Sequence, residues 1–122
     1  MDSTDFLLSA KDLAKGSKEV DYRNSVSRAY YASYHACQEF VINKGLLSRD
    51  YCTHEGVSKV LRESKTPGYA ALGEKLHQAK VARHRADYRL LQSVRQIDAK
   101  QQIKKVENIL SALNGLSTSA AC

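Results

Sequence analysis

The stretch Tyr22 to Asn43, YRNSVSRAYYASYHACQEFVIN, decides the fold. It holds no Gly or Pro, and its apolar residues recur at helical rather than strand spacing. At about 100° per residue, Val26, Tyr30, Ser33, Cys37 and Phe40 fall on one stripe that is expected to meet other helices. Arg28, Tyr31 and His35, spaced i, i+3, i+7, lie on roughly the opposite side. Ala29, Ala32 and Ala36 flank them. Small residues let another backbone approach, so this second face is expected to be a homodimer interface, with a solvated polar face as the alternative.

The same reading extends outward. Ser3 or Thr4 is expected to cap a first helix ending at Gly16, with Phe6, Leu7, Ala10, Leu13 and Ala14 inward. Thr53 is expected to cap a short helix with Val57, Val60 and Leu61 on its apolar side. Thr66-Pro67-Gly68 is the clearest break. A fourth helix follows from about Tyr69 to Tyr88, with Leu72, Leu76 and Ala79 at helical spacing. The fifth is expected to start at Asp98, as a capping box with Gln101, and to end at Asn114-Gly115. Residues 116–122 read as a flexible tail. The pattern is all-α: one domain over residues 1–115, a five-helix antiparallel bundle.

Composition agrees. The chain has 122 residues and one Pro, one domain's length and enough to bury a core without disulfides or metals. No run approaches the roughly 20 apolar residues of a membrane span. The early acids of the N-terminus do not suit a signal peptide, so a cytoplasmic location is expected. Cys37, Cys52 and Cys122 have no C-x-x-C spacing and read as free thiols. No group has convincing metal-ligand spacing, and no phosphate-binding glycine loop occurs, so neither metal nor cofactor is expected. Nineteen Lys and Arg against thirteen Asp and Glu give a net charge of +6 and a pI near 9.3. Such a balance favours polyanionic partners, nucleic acid first.

The fourth helix carries an anomaly. Continuing its Leu72, Leu76, Ala79 stripe leads to Arg83 and then Ala86. An inward Arg is costly unless it is paired or opens to a cavity. Asp87, four residues on, is a natural partner. Arg83 then either ties helices together or waits for a phosphate. His84 and Arg85 thicken the charge there; His77 and His84 read as surface residues.

Three segments carry a resemblance. Arg28-Ala29-Tyr30-Tyr31-Ala32-Ser33-Tyr34-His35-Ala36 resembles the R-x-Y-Y-A-x-F/Y-H-A segment of HEPN-domain proteins. His54-Glu55-Gly56-Val57 resembles the H-x-G-V of one HEPN branch, and Arg83-x-x-Ala86-Asp87-Tyr88 matches that branch's R-x-x-A-D-Y. They occur in family order across roughly residues 22 to 110. The resemblance implies a small helical bundle that dimerises and is often paired with a minimal nucleotidyltransferase in toxin–antitoxin modules. It also implies metal-independent endoribonuclease activity on RNA. In some members a Tyr near the motif is nucleotidylated by the partner; Tyr88 is the candidate here.

Such cleavage needs a general base and acid, which His supplies near neutral pH, and a cation on the developing phosphorane. Active members carry R-x4-6-H. At those spacings after Arg83 stand Tyr88, Arg89 and Leu90. The spacing is met instead by Arg28-x6-His35 and Arg49-x4-His54. The candidate catalytic set is therefore Arg83, His35 and His54, supported by Arg28, Tyr31, Arg85, Asp87 and Tyr88. The excess charge is expected around Arg28, Arg83 and Arg85. Two alternatives stand beside the nuclease: a non-catalytic helper subunit for a nucleotidyltransferase, and a structural dimer in which Arg83–Asp87 fixes helix packing.

Overall fold

The computed structural model describes residues 1–120. It contains α1 (Ser3–Ala14), α2 (Glu19–Asn43), α3 (His54–Arg62), α4 (Tyr69–Tyr88) and α5 (Gln96–Ala120), with a 3-10 turn at Arg49–Tyr51. No strand occurs among the described residues. The all-α, five-helix reading holds. Cys37 and Cys52 are free thiols; Cys122 lies outside the described residues.

The helix ends follow local chemistry. Asp2, rather than Ser3 or Thr4, caps α1 by accepting from the Thr4 N–H at 2.8 Å. Gly45 ends α2 at φ +70°. There the Leu46 N–H reaches the Val41 carbonyl and the Gly45 N–H reaches that of Ile42, a pair of bonds that closes orphan carbonyls. Thr53 caps α3 as expected, its hydroxyl accepting from the Gly56 N–H at 2.9 Å. This cap makes His54 the first residue of α3.

Two sequence expectations about α5 are corrected. The helix begins at Gln96, and Asp98 is not its cap; its carboxylate reaches back to accept from the Arg95 N–H at 2.8 Å. Asn114-Gly115 does not end it either. The helix runs on to Ala120. A single Gly costs a helix only about 1 kcal/mol, and Leu113 and Leu116 on either side still pack against the core. Of the expected tail, residues 121–122 lie outside the described residues.

α2 is the central element and packs against all four other helices. Its stripe is buried as expected, with Tyr30, Ser33 and Cys37 fully so. Two apolar clusters result. One joins Tyr30, Tyr34, Phe40 and Val41 to Val57, Leu61, Leu72, Leu76 and Ile109. The other joins Val26, Ala29 and Ala32 to Ala10, Ala14, Ala86, Ala99 and Val106. The second cluster takes two alanines of the polar face of α2 into the bundle, while Arg28 stays exposed and Tyr31, His35 and Ala36 stay partly exposed. Ala29 and Ala32 are fully buried within the chain, because their small side chains admit α1 rather than a second copy.

Candidate functional site

Arg83 lies where the α4 stripe said it would, and its side chain is only 12% exposed. Its guanidinium faces three tyrosine rings: Tyr30 at 5.5 Å, Tyr31 at 5.7 Å and Tyr88 at 5.9 Å. Ring quadrupoles attract a cation placed over them and offset part of the desolvation cost. Asp87 accepts from Nη1 at a long 3.4 Å and is itself held by the Ser27 hydroxyl at 3.2 Å. The expected Arg83–Asp87 pair is therefore present. Nε of Arg83 is buried without a hydrogen-bond partner. Burial opposes the charge of Arg83, but Tyr31, Asp87 and Tyr30 together outweigh it, and its pKa is raised.

His54 arrives from α3 against two of the same rings, Tyr30 and Tyr31. Its Nδ1 lies 2.6 Å from the Tyr30 hydroxyl, and its ring sits 4.2 Å from that of Tyr34 and 5.9 Å from that of Tyr31. Burial holds His54 below the usual histidine range, and Arg83, Lys80 and His35 push the same way. Burial likewise drives the Tyr30 hydroxyl well above the ordinary tyrosine range, so it stays protonated. We assign Tyr30 as the donor to Nδ1, because a fully buried hydroxyl must place its hydrogen on an acceptor. Neutral His54 then carries its own N–H on Nε2.

His35 completes the group from α2. Its ring stacks on Phe6 of α1 at 5.1 Å and neighbours Tyr31 at 6.2 Å and Tyr34 at 5.4 Å. Arg83, His35, His54, Tyr31, Asp87 and Tyr88 thus form one connected cluster of rings and charges. Tyr88 is the most open of them, at 64% exposed.

Arg28 and Arg85 do not join it. Arg28 is exposed and lines a shallow cavity with Asp5, Phe6 and Ser9. Arg85 turns toward α5, donates to the Ser93 carbonyl and borders a cavity of about 180 Å3 with Val94, Gln101 and Lys105. The charge expected around Arg28, Arg83 and Arg85 is therefore spread over three places. Arg83 and Arg85 are two residues apart, about 200° around a helix, so they face different neighbours.

Sequence reasoning missed Arg23. It is 8% exposed and donates to the carbonyls of Arg85, Ala86, Arg89, Leu90 and Gln92, with Nε on Glu19 at 2.8 Å. These carbonyls end α4 and shape the connector after it, so Arg23 fixes the turn carrying Asp87 and Tyr88. Among the described residues no three His, Cys, Asp or Glu side chains group so as to hold a metal ion. No helix among them is long and apolar enough to cross a membrane.

The family model of the HEPN domain matches residues 3–116. No curated protein and no solved structure matches the chain.

Proposed function

The chain belongs to the HEPN-domain family, and from that premise we propose that it is a metal-independent endoribonuclease acting as the toxin of a toxin–antitoxin or defence module. Family membership supports an RNA-related module. The observation that carries the finer reading is Arg83: a nearly buried cation held over three rings, with one long carboxylate contact and an orphaned Nε. A guanidinium kept this poorly satisfied is suited to a phosphate.

We assign the remaining roles by the chemistry of the residues gathered around Arg83. His54, neutral with Nε2–H available, donates to a phosphate oxygen alongside Arg83 and stabilises charge on the phosphorane. His35 takes the proton of the ribose 2′-OH. The 2′ oxygen attacks the adjacent phosphorus, and the 5′ oxygen leaves and takes a proton from solvent. The products carry a 2′,3′-cyclic phosphate and a 5′-OH. Tyr88 is placed to stack on an unpaired base.

The purified chain is expected to cut RNA in EDTA, and Arg83→Met and His35→Ala are each expected to lower the rate by at least a hundredfold. Cleavage that survives both substitutions overturns the site; growth unaffected by strong expression overturns the toxin role. A second reading, a non-catalytic helper of a minimal nucleotidyltransferase, is favoured by the residues after Arg83, where no His stands at the family spacing. It predicts a tight complex with that partner and no cleavage by the isolated chain.

A further inference from the structure

We infer that the cavity beside Phe6 and His35 is a nucleobase subsite, and that the strand it serves is single-stranded RNA. This rests on the reading of Arg83 as a phosphate site and names the substrate class for it. The cavity, of about 480 Å3, opens between the start of α1 and the middle of α2 and is lined by Asp2, Ser3, Phe6, His35, Ala36 and Glu39. Its volume falls in the range of small-molecule pockets, about 300–1,000 Å3. Phe6 and His35 form one wall, their rings stacked at 5.1 Å and 28°. Phe6 is partly buried against the second apolar cluster, whereas His35, also half-buried, belongs to neither cluster.

The position relates it to Arg83. Tyr31 neighbours both: Arg83 lies 5.7 Å from its ring, and the rings of Phe6 and His35 lie 6.1 and 6.2 Å from it. A phosphate at Arg83 and a base at Phe6–His35 are then neighbouring groups of one strand. Charge at the rim is mixed. Glu39 is paired with Arg49 at 2.9 Å, whereas Asp2, which accepts from the neutral N–H and hydroxyl of Thr4, keeps its charge. Arg28, which lines the neighbouring cavity with Phe6, and the net charge of +6 offset that one exposed acid for an anionic strand. Duplex RNA does not fit, because its bases are stacked on one another and cannot reach a side-chain wall.

The test separates binding from cleavage by using a fluorescein-labelled single-stranded deoxyoligonucleotide, which lacks the 2′-OH. Phe6→Leu keeps apolar bulk for α1 and removes the ring. It is expected to weaken binding about tenfold, the scale of one lost base–aromatic stack. An abasic strand of equal length is expected to bind wild type and Phe6→Leu alike, and a blunt duplex more weakly than the single strand. Unchanged binding by a Phe6→Leu variant of wild-type melting temperature overturns the subsite, as does equal affinity for abasic and base-bearing strands. A wild-type dimer that Phe6→Leu turns into a monomer, with affinity unchanged, also overturns it, since a second copy then fills the cavity. Undiminished binding by Arg83→Met, with Phe6→Leu still weakening it, overturns the phosphate role and leaves the base subsite standing.

Discussion

Replacing Arg23 with Met keeps the buried stem and removes the fork. The cost follows from what that fork holds. The bond to the Ala86 carbonyl is short, at 2.9 Å, and that to Gln92 is close; those to Arg85, Arg89 and Leu90 are 3.3–3.4 Å and weak. A hydrogen bond from a charged group contributes about 1.5–3 kcal/mol, and buried carbonyls left without donors lose further. Glu19 is half-exposed, and such a pair contributes at most about 1 kcal/mol. The expected loss is about 3–5 kcal/mol, a large share of the 5–15 kcal/mol typical of a domain. With an m value of about 1.5 kcal/mol/M, the urea midpoint falls by about 2–3 M. Arg23→Lys is expected to recover less than half of this, because one ammonium cannot span carbonyls from both the helix end and the connector. Arg95→Ala, at a side chain 70% exposed, is the control and is expected to stay within about 0.5 kcal/mol. A change below about 1 kcal/mol for Arg23→Met, or full recovery by Lys, refutes the clamp.

His54 gives a pH test. Its pKa is lowered, so the folded bundle favours the neutral ring. The stability this contributes is complete above the ordinary histidine pKa of about 6.5 and is lost as pH falls from there through the lowered folded value. Urea midpoints of wild type and His54→Ala across that window should converge toward acid. Tyr30→Phe removes the donor that holds the neutral ring and is expected to raise the His54 pKa, read by NMR titration; an unchanged value contradicts the tautomer assigned here. Gly73→Ala tests the seating of α3. The added Cβ would lie 2.7 Å from the Arg62 nitrogen and 2.8 Å from the Leu61 Cβ, so α3 must shift, costing about 1–3 kcal/mol. Because α3 begins with His54, RNA cleavage should fall with the melting temperature, and an unchanged melting temperature contradicts the close packing.

What the sequence showed and what it hid divide along a physical line. Periodicity located α2 and α4 because their stripes are long and unbroken, and the Thr66-Pro67-Gly68 turn separated α3 from α4. The same periodicity exposed Arg83 as a charge on an apolar stripe. Applied to α2 it would have exposed Arg23 as well, three residues before Val26 on the buried stripe, where any Arg must find partners. Tyr30 was legible as core but not as the partner of His54; that needed α3 brought across α2. The burial of Ala29 and Ala32 within the chain was hidden for a related reason. Alanines mark a face that something approaches closely, and composition does not say whether that neighbour is a second chain or α1. Arg28 and Arg85 were grouped with Arg83 by closeness in sequence or shared sign, neither of which fixes direction around a helix.

Arg83 sits between the two apolar clusters of the bundle. On its stripe Leu72, Leu76 and Ala79 belong to one, and Ala86 to the other. An apolar residue at that seam would join them and remove a buried guanidinium with one unsatisfied nitrogen. Exchanging a buried ion pair for well-packed apolar groups is often neutral or stabilising by 1–4 kcal/mol. A cation serving only to tie helices would be better satisfied, as Arg23 is by five carbonyls and a carboxylate. The two inward arginines thus differ in kind. Arg23 spends its donors within the chain, whereas Arg83 meets three ring faces and one distant carboxylate, which leaves its donor capacity for a ligand. That contrast, within one bundle and under the same packing constraints, is the argument for placing the site at Arg83.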